Sequence, residues 1–229
     1  TCHIRTCLTQ FGGTDTGTAL LTPVMPLMHP MEHWEDLHHP PFASESGCSS
    51  LEAYLDELRA HVRRVKAEGA VGLKMQSFRY RPPDRKAAHA LFKRLKSGTL
   101  KEIPVIMPTG EPADNALKDY IVDETIAYAG ELDLVVAVHA GYWGDFRRLH
   151  PLHMIPLLER HPDVRFDIYH LGFPWIRETL MLGKGFSNVW LNLCWNHIIS
   201  ERSAAMGLDE AIDLLPANKL IGFGGDYRT

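Results

Sequence analysis

Two rhythms of apolar and polar positions alternate along the chain. Short runs rich in aliphatic and β-branched residues predict strands at CLTQF (7–11), ALLTPVMPL (19–27), AVGLKM (70–75), LVVAVHAG (134–141), VRFDIYHLG (164–172), NVWLNLCW (188–195) and KLIGFGG (219–225). Pro23 and Pro26 punctuate the end of the second run. Longer stretches between the runs carry helical spacing. In LEAYLDELRAHVRRVKAEG (51–69), Leu51, Tyr54, Leu55, Leu58, Val62 and Val65 share one face, and Gly69 fits a C-cap. Helices are likewise predicted over DRKAAHALFKRLKSG (84–98), DNALKDYIVDETIAYAGEL (114–132), LHMIPLLERH (152–161) and IRETLMLGKGF (176–186). KEIPVIM (101–107) reads as an optional short strand, inside an excursion from Gln76 to Asn115 that is longer than a tight connection needs.

Strands apolar on both faces and joined by helices imply a parallel sheet covered by helices. Two architectures meet that description: a doubly wound open sheet and a (β/α)8 TIM barrel. The first, in its dinucleotide-binding form, carries GxGxxG between its first strand and helix. No such motif is present; GFGG (222–225) follows the last run and no helix comes after it. The expectation is therefore an α/β chain of the (β/α)8 barrel type, one strand short, forming a single domain over residues 1–229.

Composition narrows the function classes. The chain has 229 residues, is 45% hydrophobic and 23% charged, and carries a formal net charge of −4 from 24 basic and 28 acidic residues. That balance points to neither a nucleic-acid groove nor a membrane-binding face. The four cysteines show no CxxC spacing, so neither a zinc knuckle nor a disulfide framework is implied. No apolar run approaches the ~18 residues of a membrane span. A cytoplasmic setting is the default expectation, and Thr1 is an unusual first residue for a complete chain.

Candidate chemistry lies where strands end, because barrels place their active sites at the carboxyl-terminal face. Reading the ends gives Lys74, His139, His170, Asn192 followed by His197, and Asp226. Two imidazoles and a carboxylate suit a divalent ion such as zinc, or manganese as the second choice. A carboxylate at the tip of a buried strand also calls for a cation nearby. Taken singly, each residue has a plainer role: a hydrogen-bonded structural His, an Asp that caps a helix, a Lys that reaches solvent. Their coincidence at one face favours a shared site. Arg79, Tyr142, Trp143, Arg147 and Trp175 occupy the connections after these strands and, with Asn192, are the substrate-binding candidates. Arginines and flat aromatics suit a cyclic or carboxylate-bearing small molecule. His38 and His39, beside Pro40 and Pro41, are assigned to a loop; His61, His89, His150, His153 and His161 are assigned to solvated positions.

The ordered set GLK (72–74), VHAGYWGDF (138–146), LHMIPLLERHPDVRF (152–166), YHLGFPWIRE (169–178), NVWLNLCW (188–195) and NKLIGFGGDY (218–227) resembles the amidohydrolase superfamily, in the branch that includes aminocarboxymuconate-semialdehyde decarboxylase. The resemblance implies a (β/α)8 barrel with a divalent metal at its carboxyl-terminal face. It implies that His139 and His170 are the histidines of barrel strands five and six. It makes Asp226 the strand-eight Asp, a metal ligand or the base toward a water. It puts Lys74 on strand four, where binuclear relatives carry a carboxylated lysine. The family's first strand ends in His-x-His, and no HxH occurs here. Together with the missing strand, this leads to the expectation that the chain lacks the start of the barrel and its final helix. The implied activity is metal-dependent hydrolysis of a small organic acid, amide or lactone. A decarboxylase, a uronate-type isomerase and a non-catalytic ligand-binding barrel that has lost its metal stand as alternatives. The expected partner is a small-molecule substrate, with no nucleic acid or membrane, and a homo-oligomer is compatible with the sequence.

Overall fold

The computed structural model describes residues 5–10, 13–27 and 31–226. The chain divides into two compact units, residues 1–74 with 81–135, and residues 75–80 with 136–229.

In the first unit, β1 (Cys7–Thr9), β2 (Leu21–Pro26) and β3 (Gly72–Gln76, whose last two residues belong to the second unit) run parallel in chain order. The register aligns Cys7 with Leu21 and Pro26 with Lys74. Between β2 and β3 lie α1 (Trp34–His38) and α2 (Leu51–Ala67). The Ser50 hydroxyl accepts the Ala53 amide at 3.1 Å and opens α2, whose buried residues are the six apolar positions read from the sequence. α3 (Arg85–Lys96) is opened by Asp84 and α4 (Ala116–Glu131) by Asn115, each accepting the amide three residues on. Two expectations are corrected here. His38 closes α1, where its ring stacks on Trp34 at 4.9 Å, and is no loop residue. Residues 101–107 make only isolated bridges, because Pro104 and Pro108 interrupt any ladder.

The second unit holds β4 (Val135–His139, whose first residue belongs to the first unit), α5 (Ile155–Arg160), β5 (Phe166–Tyr169), α6 (Ile176–Gly185), β6 (Val189–Asn192), α7 (Asn196–Ile199), α8 (Glu201–Leu214) and β7 (Leu220–Ile221). These strands are again parallel and in chain order, with His139 opposite Tyr169, Tyr169 opposite Asn192, and Asn192 opposite Ile221. Their core is the apolar set on both faces of the sheet, including Val136, Val138, Phe166, Ile168, Val189 and Leu191. α8 is not among the helices predicted from the sequence. It buries Ala204, Gly207 and Ala211, and small residues give a weak periodic signal. The final strand is shorter than predicted, because Gly222, Gly224 and Gly225 end the regular ladder. Seven parallel strands in this sequential arrangement, mostly with helices between them, are those of an incomplete (β/α)8 barrel. No helix among the described residues is long and apolar enough to cross a membrane.

Candidate metal centre

Three of the residues singled out at strand ends converge in the second unit. His139 is the last residue of β4, and Ser77 donates its backbone amide to the His139 carbonyl at 2.8 Å. His170 follows β5, which ends one residue earlier, at Tyr169. Asp226 follows β7. Ligating atoms of His139, His170 and Asp226 all lie within 4.8 Å of one another.

Backbone geometry turns the side chains toward this point. His170, Leu171, Trp195 and Asp226 all have positive φ, at 62°, 44°, 63° and 50°. Left-handed backbone costs of order 1–3 kcal/mol for residues of this kind and persists only where the surroundings over-determine it. At His170 they do: its carbonyl accepts the Phe173 amide at 2.9 Å and the Asn196 side-chain amide at 3.2 Å. Gly141, two residues after His139, passes so close to the turn after His170 that a Cβ there would lie 2.2 Å from the Phe173 carbonyl oxygen.

The ring of His170 is wholly buried and its protons can be assigned. Nδ1 donates to the Cys194 carbonyl at 2.7 Å; a carbonyl only accepts, so Nδ1 carries hydrogen. In a neutral imidazole, Nε2 then presents a lone pair. That atom lies 2.9 Å from Nδ1 of His139 and 3.3 Å from Oδ2 of Asp226. A lone pair facing a carboxylate oxygen is repulsive unless a proton or a cation stands between them. Zinc bonds of ~2.1 Å in tetrahedral array separate ligand atoms by about 3.4 Å, close to the spacing here. Two imidazoles and a carboxylate therefore fit a divalent ion such as zinc or manganese, with at least one further position for water or substrate. The donor from Nδ1 to a backbone carbonyl is the arrangement that commonly orients metal-binding histidines.

Aromatic rings surround the two imidazoles. Trp195 packs edge-on to His170 at 5.5 Å, and Trp143 edge-on to His139 at 6.4 Å. Trp143 and Tyr142 each meet Trp195, at 5.9 Å and 6.2 Å, and remain about half exposed. Arg147 makes a two-armed bond to Asp145 at 2.8 and 2.7 Å. Trp175 lies against His150 at 4.3 Å, where burial lowers the His150 pKa. Arg79 is exposed. Lys74 belongs to the first unit, in register with Pro26, with its ammonium nitrogen buried. Asn192 is buried: its amide donates to Asp167 Oδ2 at 2.9 Å and its oxygen accepts the Cys194 amide at 2.9 Å. Asp167 and Cys194 are absent from the sequence-based candidates. Asp167 left a signal, an acid in the middle of a fully buried apolar run; Cys194 acts through its backbone and left none.

Comparison with known proteins agrees with this geometry. Over half its length the chain is 26% identical, across 133 residues, to Protein fluG of Emericella nidulans, of which that match covers 15%. A protein designated a metal-dependent hydrolase from Lactobacillus casei ATCC 334 superposes with a TM-score of 0.66 at 20% identity, over 89% of this chain and 52% of that one. Glucuronate isomerase from Caulobacter crescentus superposes with a TM-score of 0.69 at 17% identity, over 98% of this chain and 53% of that one. The chain thus spans about half the length of these structures and a smaller part of the curated relative. At such identities the structural matches speak for the barrel fold alone. The amidohydrolase family model matches residues 34–227, a span that includes His139, His170 and Asp226, and the chain belongs to that family.

Proposed function

We propose that this chain is part of a metal-dependent hydrolase that acts on a small, flat or cyclic organic acid, amide or lactone. The observation that carries the reading is the convergence of His139, His170 and Asp226, with the His170 tautomer set by the Cys194 carbonyl. His139 and His170 would hold the ion through ring nitrogens, and Asp226 through its carboxylate. A divalent ion held there would acidify a water and polarise a carbonyl. Asp226, with its side chain about a quarter exposed, would act as the base toward a water and return the proton to the leaving group. Tyr142, Trp143 and Trp195 offer apolar faces beside the centre against which a flat substrate would lie. Arg79 is proposed to supply positive charge to a substrate carboxylate. Zinc is the first choice of metal and manganese the second.

A second reading is favoured by the superposition on glucuronate isomerase, and on uronate isomerase from Thermotoga maritima with a TM-score of 0.64. In it the same residues serve proton transfer on a sugar acid without consuming water. Decarboxylation, the activity that names the branch noted from the sequence, is a further outcome on the same barrel. The deciding experiment gives the full protein, loaded with zinc or manganese, a panel of small lactones, amides, uronates and unsaturated acids. Acid release with uptake of oxygen from labelled water supports hydrolysis. Carbon dioxide release, or isomerisation without label at a new carboxylate, overturns it in favour of the other readings.

A further inference from the structure

We propose that Asp167 and Asn192 are positioning residues for His170, acting through the peptide backbone of Cys194. The inference rests on the reading of His170 as a metal ligand, and its first arm stands without that reading. Three hydrogen bonds form the path. Asp167, in the middle of β5 and almost fully buried, accepts from the Asn192 side-chain amide at 2.9 Å. The Asn192 oxygen accepts the Cys194 amide at 2.9 Å. The Cys194 carbonyl accepts from His170 Nδ1 at 2.7 Å, and His170 Nε2 faces His139 and Asp226.

Asn192 matches this task for a physical reason. It ends β6, and the next residues must leave the ladder and turn, with Trp195 at φ 63°. An amide side chain supplies one donor and one acceptor at fixed separation, so it bonds Asp167 and the Cys194 peptide together. That holds the peptide entering Cys194; the peptide leaving it, which carries the Cys194 carbonyl, is held by the Trp195 amide donating to the Gly224 carbonyl at 2.7 Å, and the two together aim that carbonyl at His170 Nδ1. The Cys194 backbone amide only donates, which sets the Asn192 amide with its oxygen toward Cys194 and its nitrogen toward Asp167 on β5. The arrangement leaves one tautomer for His170, hydrogen on Nδ1 and the lone pair on Nε2. Bonds to metal-binding histidines of this kind commonly change affinity about 10- to 100-fold when lost.

The test reads the His170 ring by nitrogen-15 NMR in metal-free protein, and measures zinc and manganese affinity by competition with a chromogenic chelator. Wild type is expected to show the Nδ1–H tautomer alone. Asn192→Ala is expected to show a mixture and a loss in affinity of about 10- to 100-fold. Asp167→Asn keeps an acceptor for Asn192 and is expected to retain the wild-type tautomer and affinity within a few-fold, whereas Asp167→Ala follows Asn192→Ala. Asn192→Asp preserves side-chain volume and the acceptor toward Cys194 but sets a carboxylate against Asp167. If Asn192→Ala does not fold, this variant takes its place, with the same direction expected. A lowered melting temperature with unchanged tautomer and affinity overturns the proposal, leaving a purely structural role. If wild type binds neither metal, the metal reading fails, and the tautomer comparison still decides for or against the positioning role.

Discussion

Nε2 of His170 stands 2.9 Å from Nδ1 of His139, and only one hydrogen or one cation fits between them. The Cys194 carbonyl has already drawn the His170 hydrogen to the far side of the ring. A divalent ion held by both histidines and Asp226 would satisfy the whole group at once. Zinc or manganese at about 100 times its dissociation constant is therefore expected to stabilise the protein by roughly 2.7 kcal/mol, a rise in Tm of about 5–10 °C. His139→Asn should lose most of that rise while the metal-free melting temperature stays close to wild type. Thermal scans with metal and with chelator check this; an equal rise in the variant would move the binding site elsewhere.

Asp226 is proposed both to ligate and to take up a proton, and the isosteric amide separates it from a mere turn residue. Asp226→Asn keeps the shape and tolerates the positive φ, since Asn and Asp are the side chains most at ease there. Loss of general-base catalysis typically costs about 10²- to 10⁴-fold in turnover. A fall in kcat of that size with little change in Tm is expected, read on whichever substrate the panel identifies. Turnover within a few-fold of wild type, at full metal occupancy, would remove Asp226 from the proton transfer.

Much of this site was legible in the sequence, and the limits have physical causes. The strands carrying His139 and Asn192 read clearly because both their faces are buried, so the apolar runs are nearly continuous. His170 was found as a strand-end residue, yet the strand stops one residue before it. Its left-handed backbone depends on donors from Phe173 and from Asn196, which no local pattern announces. Asn192 was read as facing the substrate because it ends a strand; the deciding fact is Asp167, its neighbour on β5, known only once the register pairs Asp167 with Trp190 and Tyr169 with Asn192. The α8 helix escaped because it packs on Ala204, Gly207 and Ala211, and small residues barely register as an apolar stripe.

The first unit supplies a prediction of its own. Asp119 on α4 is almost fully buried, and burial raises its pKa from 3.8 to about 6 despite the Arg81 amide and guanidinium beside it. Between those values the folded chain holds a proton that the unfolded chain releases. The stabilising effect of the neutral form is thus complete below about 3.8 and is lost as pH rises through about 6. Above that, the buried charge costs about 3 kcal/mol. Asp119→Asn is expected to raise stability at pH 7.5 by roughly 1–2 kcal/mol, since Arg81 keeps its ion pair with Asp114. It should also flatten the decline between about pH 4 and 6. Urea midpoints across that range test it, and a wild-type stability that rises with pH there, with no flattening in the variant, would contradict the assignment.

Gly224 explains how the chain brings Asp226 back to His170. Its carbonyl accepts the Trp195 amide at 2.7 Å, and a Cβ on it would lie 2.5 Å from the Cβ of Cys194. The backbone there is not left-handed, so alanine suits the local conformation and fails only for lack of space. The obstructing atom is the first carbon of a short side chain and cannot swing away. Gly224→Ala must therefore push the 222–226 segment outward from β6, and Asp226 with it. Overpacking of this kind costs about 1–3 kcal/mol, but the more specific effect is on the site. A displacement of about an ångström can lower turnover of the order of 10²-fold where geometry is tight. Metal affinity should fall as well, and the His170 Nδ1–H tautomer is expected to lose population with it, because the Gly224 carbonyl holds the Trp195 amide, which shares a peptide plane with the Cys194 carbonyl. Cys194→Gly in the same chain removes the obstructing carbon and keeps the Cys194 carbonyl. The double variant is expected to regain affinity relative to Gly224→Ala alone. Metal titration of the two single variants and the double variant decides it. If Gly224→Ala binds metal as wild type does, Asp226 is not held in place by this close approach.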